Sequence, residues 1–346
     1  MKKLILILLL LNYSCNSKAK KGDKIEANNK EEIFDDSKYV LDSSYAYGDA
    51  RRYGVTAETA GNSHPTSGKN RMTTVLDMAE ESGIEISFPK GYYKMDLVLN
   101  SRKNLSLKFN NSEFSSINII QAKKEDSIPE NITLKGTLIA YARLGITEAR
   151  NISIDTVYLK TDISKNLYKM RNTGCHIYHG SENIKIGYLE IDDLGSGDEK
   201  YKYTHAAIAI DGWNNNPSDI TIDKAYIKST DRHGVYMTGT DNVIKELIID
   251  KFGVGSTEFM DGMQDAQKGE EKELTAIWLN KCYYCGIDKV TINEKDSKAK
   301  YTAFFDAGDI NRPSEVRELI ILNDNPKLDI KKDDNTGVQL MQTVKK

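Results

Sequence analysis

The stretch NISIDT at residues 151–156 decides the fold, because five similar phrases accompany it along the chain. In each phrase an Asn or Asp is followed by alternating apolar and polar residues, which is typical of a strand with one buried face. The other phrases are NLSLKF at 104, NITLKG at 131, NIKIGYLEI at 183, DITIDKAYI at 219 and NVIKELII at 242. The starting positions of these phrases show that one short strand pattern recurs along the chain, with no helical pattern between the copies. Such a repeat predicts an all-β solenoid.

A second family of strands lies between those phrases. Its aligned members are residues 172–179, 205–212, 232–239, 274–281, 301–308 and 335–342. The third column holds only small residues, which predicts one shared register: Gly174, Ala207, Gly234, Ala276, Ala303 and Gly337. Columns four and six should then be buried and columns five and seven should face outward, because side chains alternate across a strand.

The outward columns of this alignment are unusual for a solvated face. They contain rings, histidine and few long charged chains: His176, Ala209, Tyr236, Trp278, Phe305 and Gln339, then Tyr178, Asp211, Thr238, Asn280, Ala307 and Met341. The inward columns are apolar except for Asp306. This pattern predicts that the outward face is the floor of a binding groove.

The segment before the repeats carries a family resemblance. It contains YAYGDARRYGV at 45–55, an amphipathic helical pattern with apolar Met72, Val75, Leu76 and Ala79, and ISFPKGYYKM at 86–95. With the repeats, residues 45–342 resemble the pectin-lyase-like superfamily. The resemblance implies a single-stranded right-handed parallel β-helix with a short N-terminal capping helix, which we assign to residues 38–346.

The N-terminus predicts export. Lys2 and Lys3 precede an apolar run at residues 4–11 that is too short to span a bilayer, and Cys15 follows a small residue, which resembles a bacterial lipoprotein signal. We therefore expect a signal peptide over residues 1–14, then a lipidated Cys15 and flexible tether over residues 15–37. The protein should be an outer-membrane, cell-surface or periplasmic protein that meets the membrane only through this anchor.

Composition narrows the partner class. Lys and Arg number 48 against 51 Asp and Glu, so no excess of positive charge indicates a nucleic-acid partner. The groove instead favours an acidic polysaccharide or oligosaccharide as the partner. We expect the protein to be a monomer. Cys282 and Cys285 are spaced to close a small disulfide, and a single such pair is a weak metal signal.

The superfamily hosts lyases, hydrolases, epimerases and adhesins, so the fold alone does not fix the chemistry. Asn172-Thr173 and His233-Gly234 resemble two polygalacturonase phrases, but Gly174 and His205-Ala206 stand where that family has carboxylates. β-Elimination from a uronate suits the residues better, because it needs a cation or histidine, a neutral proton acceptor and a proton donor. Four of the five histidines lie in three consecutive windows: His176, His179, His205 and His233.

The sequence therefore predicts a polysaccharide lyase. The candidate catalytic residues are His233, Tyr236, Arg232, His205 and His176, and the candidate substrate-binding residues are Tyr178, Asp211, Trp278, Asn280 and Lys281. A hydrolase that recruits Asp211, Asp231, Glu258 and Asp261, and a non-catalytic glycan-binding or adhesion protein, remain the alternatives.

Two long inserts, residues 192–204 and 253–273, enter the same strand family and should wall the groove. No cofactor is expected. The acidic second insert is the candidate calcium site, although Glu258, Asp261 and Asp265 match no EF-hand spacing.

Overall fold

The computed structural model describes residues 34–169, 172–192, 206–231, 233–254 and 274–346. Residues Asp36–Lys346 form one compact unit, and only residues 34 and 35 are described before it. The predicted signal peptide, Cys15 and most of the predicted tether thus lie outside the described residues. Within the described ranges, no helix is long and apolar enough to cross a membrane.

The described part of the chain is mostly β, and the 20 strands within it form one long parallel sheet. From the fourth strand onward, each strand pairs with the strand two places earlier in the chain, so that the chain alternates between two ladders. This alternation is consistent with a parallel β-helix. It also confirms the two families of phrases seen in the sequence as two families of strands, except for residues 335–342, which join the other ladder.

The first ladder contains the repeated Asn phrases. Its strands are β1 (Ile86–Phe88), β2 (Gly91–Tyr92), β4 (Lys103–Phe114), β6 (Glu130–Ala140), β8 (Arg150–Leu159), β10 (Glu182–Ile191), β12 (Ser218–Ile227), β14 (Val243–Ile249), β16 (Gly286–Asn293), β18 (Ser314–Leu322) and β20 (Val338–Lys345). The second ladder positions the site. Its strands are β3 (Leu97–Val98), β5 (Ile117–Ile120), β7 (Leu144–Thr147), β9 (Cys175–Tyr178), β11 (Ala206–Asp211), β13 (His233–Thr240), β15 (Thr275–Tyr283), β17 (Tyr301–Phe305) and β19 (Asp329–Lys332).

The asparagines of the repeated phrases have a structural role. Asn131, Asn151 and Asn183 each donate a side-chain hydrogen bond to the Asn of the preceding phrase, at 2.8 to 3.0 Å. All three have a positive φ of 53° to 57°. Asn and Asp tolerate this left-handed conformation better than most residues. The repeated Asn is therefore required by the backbone turn and by the ladder of amide groups.

The inward side chains of the second ladder form a continuous buried core. Two rows of side chains lie at most 1% exposed: Ile117, Leu144, Cys175, Ile208, Val235, Ile277 and Ala303, then Ile119, Ile146, Ile177, Ile210, Met237, Leu279 and Phe305. Full burial of one such aliphatic or aromatic side chain stabilises the fold by roughly 1.5–3 kcal/mol. These rows confirm the predicted inward columns from β9 to β15.

The small residues in the third column of the alignment have a steric cause. A Cβ atom on Gly174 would lie 2.2 Å from the carbonyl oxygen of Ala207, and one on Gly234 would lie 2.6 Å from that of Ala276. The neighbouring strand therefore leaves no room for a Cβ atom at Gly174 or Gly234. The predicted column is thus correct across these four residues.

The predicted register of β17 was wrong by one residue. Ala303 pairs with Ile277, so Phe305 points into the core and Phe304 faces outward. Asp306, the apparent exception among inward residues, lies just after the strand. The sequence pattern had no means to choose, because Phe304 and Phe305 are both large and apolar.

The assignment of residues 335–342 to the second ladder was also wrong. β20 pairs with β18 in the first ladder, and β19 continues the second. Gly337, Gln339 and Met341 therefore do not extend the rows of Gly174, His176 and Tyr178. The two Asn-Thr-Gly phrases look alike because each places a glycine of positive φ before a strand.

One α-helix precedes the ladders, as the sequence predicted. α1 spans Arg71–Ser82 and begins after Asn70, whose side chain accepts a hydrogen bond from the Thr73 backbone at 2.7 Å. The four predicted apolar residues, Met72, Val75, Leu76 and Ala79, are buried. Arg102, just before β4, forms salt bridges with Asp77 and Glu80 of the helix.

Candidate functional site

A cavity of about 480 Å³ opens on the outward face of the second ladder. This volume lies in the range of about 300–1,000 Å³ that is usual for small-ligand sites. Seven of the ten predicted site residues line it: Tyr178, Asp211, His233, Tyr236, Trp278, Asn280 and Lys281. They come from β9, β11, β13 and β15, and parallel pairing of these strands brings them together.

Ala209 forms the floor of the cavity. It pairs with His176 of β9 on one side and with Tyr236 of β13 on the other. Adjacent strands lie about 4.8 Å apart, so the two walls beside Ala209 are about 10 Å apart. A small residue at this position leaves space for one ring-sized group between larger side chains.

Tyr236 forms one wall. Its ring packs edge-on against Trp278, with centroids 4.9 Å apart, and its phenol oxygen accepts a hydrogen bond from Asn280 Nδ2 at 3.0 Å. Burial raises the pKa of Tyr236 above its ordinary value, although the Asn280 hydrogen bond opposes the shift. The phenol therefore keeps its proton at neutral pH and is suited to donate it.

Trp278 links this wall to the next strand. Its indole stacks on Phe304 at 5.4 Å. The buried Nε1 atom of Trp278 has no hydrogen-bond partner within the described residues. The indole N–H is a donor that a ligand oxygen in the cavity would satisfy.

His233 is more buried than the sequence indicated. A catalytic role in an open groove predicts an accessible side chain, but the residue is only 2% exposed. Its Nδ1 accepts a hydrogen bond from the Thr275 backbone N–H at 3.2 Å, and its ring lies 5.1 Å from that of Trp278. An accepting Nδ1 assigns the proton of the neutral imidazole to Nε2. His233 is thus set up as a donor at Nε2.

Tyr178 forms the opposite wall. Its ring stacks on that of His176, with centroids 5.2 Å apart. Burial, together with the nearby Asp211 carboxylate, raises the pKa of Tyr178 to about 12. His176 supports Tyr178 from beside the cavity, whose lining it does not join.

Asp211 organises the turn after β11. One of its carboxylate oxygens accepts hydrogen bonds from the backbone of Gly212 at 2.8 Å and of Trp213 at 3.2 Å, and from the Thr238 hydroxyl at 3.3 Å. The oxygen Oδ1 is therefore committed to holding the turn and the neighbouring strand. Only Oδ2 is left to meet a ligand.

Four lining residues were not among the predicted site residues: His179, Ala209, Trp213 and Thr238. Ala209 and Thr238 belong to the outward columns, but neither has a side chain that suggested chemistry. His179 and Trp213 follow their strands in left-handed conformations, with φ of 35° and 59°. These turns lie at or beyond the end of the strand pattern, so alternation says nothing about where the side chains point.

Several predicted features fall outside the described residues. They include the candidate catalytic residues Arg232 and His205, most of both inserts, and the acidic Glu258, Asp261 and Asp265. Among the described side chains, no group of three or more His, Cys, Asp or Glu is arranged to hold a metal ion.

The Cys282–Cys285 pair lies beside the site as two buried free thiols. The Cys282 thiol donates to the Met237 carbonyl at 3.0 Å, and the Cys285 thiol donates to that of Gly239 at 3.4 Å. The disulfide that the spacing would allow is therefore not formed in this structure. Each thiol is instead held by the backbone of β13.

Comparisons with protein-family models, with curated proteins and with solved structures found no match to this chain. The functional information thus lies in the cavity itself. It combines proton donors, imidazoles, a lysine and both tryptophans of the chain around a small floor. Such a site can bind a ring-shaped polar ligand and transfer protons to and from it.

Proposed function

We propose that the protein is a polysaccharide lyase that cleaves a uronate-containing glycan by β-elimination in this cavity. The observation that carries the proposal is the cavity above Ala209, which pairs with Tyr236 on one side and with His176, on which Tyr178 stacks, on the other. A sugar ring in this cavity would meet the phenols of Tyr178 and Tyr236, with an imidazole and an ammonium group in the same lining.

Tyr236 is the proposed proton donor. In β-elimination a base removes the proton from C5, the released electron pair forms the C4–C5 double bond, and the C4–O bond breaks. The leaving oxygen must then receive a proton. The Tyr236 oxygen already accepts a hydrogen bond from Asn280, which leaves its O–H directed to another acceptor.

His179 is the proposed proton acceptor. Both His179 and His233 line the cavity, but the Nδ1 lone pair of His233 is used by the Thr275 N–H. Lys281 is suited to hold the uronate carboxylate, because its ammonium group lines the cavity, donates N–H bonds and carries a positive charge. Neutralising that carboxylate makes the C5 proton easier to remove.

A second part of the proposal concerns the fold and the membrane anchor. We propose that the two ladders wind as a single-stranded right-handed parallel β-helix and that α1 caps its N-terminal end. The predicted lipid anchor at Cys15 would hold this domain at the surface of a membrane, in contact with extracellular or periplasmic glycans.

Hydrolysis receives less support from the lining. Inverting hydrolysis needs two carboxyl groups about 6.5–9.5 Å apart, and retaining hydrolysis needs two about 5 Å apart. Asp211 is the one carboxylate that lines the cavity among the described residues, and one of its oxygens is occupied by the turn. A non-catalytic glycan-binding protein would use the same tryptophans without needing the phenols.

Incubation of the full-length mature protein with a panel of uronate polysaccharides tests the proposal. A lyase produces unsaturated uronate ends, which absorb in the ultraviolet, in equal number to new reducing ends. Reducing ends without that absorbance would indicate a hydrolase. Binding without either product would indicate a glycan-binding protein and would refute catalysis.

A further inference from the structure

Trp213 is the most exposed of the large apolar side chains described, with 76% of its surface open to solvent. It nevertheless lines the cavity, at the turn that follows β11. β11 also supplies Ala209, so the indole stands at the rim beside the floor. An indole left in water at the mouth of a polar cavity has no packing reason to be there.

The turn that holds Trp213 is tightly built. The Trp213 backbone N–H donates to Asp211 Oδ1 at 3.2 Å, and the Asn215 carbonyl accepts from the Gly180 N–H of the preceding turn at 2.6 Å. Gly212 is required, because a Cβ atom there would lie 2.0 Å from the Asn215 carbonyl oxygen. The indole is therefore carried on a turn fixed to its neighbours on both sides.

The backbone of Trp213 is also strained. It adopts a φ of 59°, a conformation that bulky residues avoid. The asparagines of the repeated phrases, Asn104, Asn131, Asn151 and Asn183, adopt a similar positive φ, and Asn tolerates this conformation. A tryptophan in its place lowers stability, and strain of this kind is typical of functional sites.

We infer that Trp213 is a preformed platform that stacks on the apolar face of a pyranose ring, with that ring held above Ala209. This inference rests on the proposed function, since it takes the ligand to be an acidic glycan. The indole supplies the flat apolar contact, while the Asp211 Oδ2, Asn280 and Lys281 groups meet hydroxyl and carboxylate oxygens. The residue that selects a pyranose ring is thus one that takes no part in proton transfer.

Tryptophan fluorescence tests this inference directly, because Trp213 and Trp278 are the only tryptophans in the chain and both line the cavity. The probe is a purified uronate oligosaccharide from the polysaccharide that the protein binds or degrades. Its addition should shift the emission of the exposed Trp213 to shorter wavelength. The shift should persist in Trp278→Phe, in which Trp213 is the sole tryptophan, and should be much smaller in Trp213→Phe, in which only the partly buried Trp278 can respond.

Affinity gives a second readout that does not depend on catalysis. Trp213→Ala should weaken oligosaccharide binding about tenfold, the scale of one aromatic stacking contact, and Trp213→Phe should recover most of the loss. Tyr284→Ala is the matched control, because Tyr284 is 51% exposed and has a positive φ of 56° but does not line the cavity. That variant should bind as the unaltered protein does.

The strained backbone of Trp213 gives a third readout, thermal stability. Trp213→Gly should raise the melting temperature while weakening binding, because glycine relieves the left-handed backbone.

Two results would overturn the inference. If the oligosaccharide binds or is degraded while Trp213 emission and the affinity of Trp213→Ala stay unchanged, the platform is absent and the proposed function still stands. If no uronate glycan binds or is degraded at all, the proposed function fails and the platform fails with it.

Discussion

Replacing Tyr236 with phenylalanine removes only the phenol oxygen from the cavity wall. The ring keeps its contact with Trp278 at 4.9 Å, and the lost interaction is the 3.0 Å hydrogen bond from Asn280. One such bond contributes about 0.5–1.5 kcal/mol to stability. The free energy of unfolding should therefore fall by about 1 kcal/mol, which leaves the protein folded.

The expected effect on turnover is much larger. Loss of a general acid usually costs a factor of about 100 or more, which is about 2.7 kcal/mol in the activation free energy. Because burial raises the pKa of Tyr236, the unaltered enzyme should show no fall in activity as pH rises towards 10, the ordinary value of this group. Both quantities come from the rate of ultraviolet absorbance increase on the active polysaccharide.

Asn280→Ala is the matched control for this substitution. It removes the same hydrogen bond but keeps the phenol. The loss of stability should therefore be similar to that of Tyr236→Phe, whereas the loss of turnover should be at least tenfold smaller. Thermal denaturation of both variants supplies the stability comparison. A folded Tyr236→Phe protein that retains more than about one-tenth of the original turnover would refute the role of Tyr236 as proton donor.

Three further outcomes are expected. His233→Ala should lower the free energy of unfolding by about 1–3 kcal/mol in urea titration, because the buried Thr275 N–H loses its acceptor; no loss would show that the ring is dispensable for packing. Burial raises the pKa of the Glu113 carboxyl, but hydrogen bonds from Lys165 and Tyr141 outweigh burial and hold that pKa below its ordinary value of 4.5. The ionised carboxylate therefore stabilises the fold above pH 4.5, and this stabilisation is lost as the pH falls through the lowered pKa. Glu113→Gln should therefore flatten the acid-side fall in unfolding free energy, and an unaltered slope would contradict this. Asn151→Ala should destabilise more than Asn151→Gly, by about 1 kcal/mol in thermal unfolding, because only glycine relieves the positive φ of 55°; equal losses would argue against backbone strain.

The sequence by itself determined the strand composition of the protein. Alternation of apolar and polar residues, with period two, marks each strand and its buried face, since both are properties of a short stretch. The repeated Asn marks the left-handed turn for the same local reason. Alignment of strands 232–239 and 274–281 then placed Tyr236 and Trp278 side by side, which the structure confirms.

The tertiary structure decided which side chains enter the core or the site wherever the local sequence pattern allows more than one outcome. Whether Phe304 or Phe305 enters the core depends on the register against β15, because either ring fits the apolar requirement. His233 is buried because the backbone of Thr275, 42 residues away, supplies a hydrogen bond. Trp213 enters the site because its turn is fixed by hydrogen bonds and a close backbone approach. Such features depend on the distance between successive turns of the chain, and no short stretch of sequence encodes that distance.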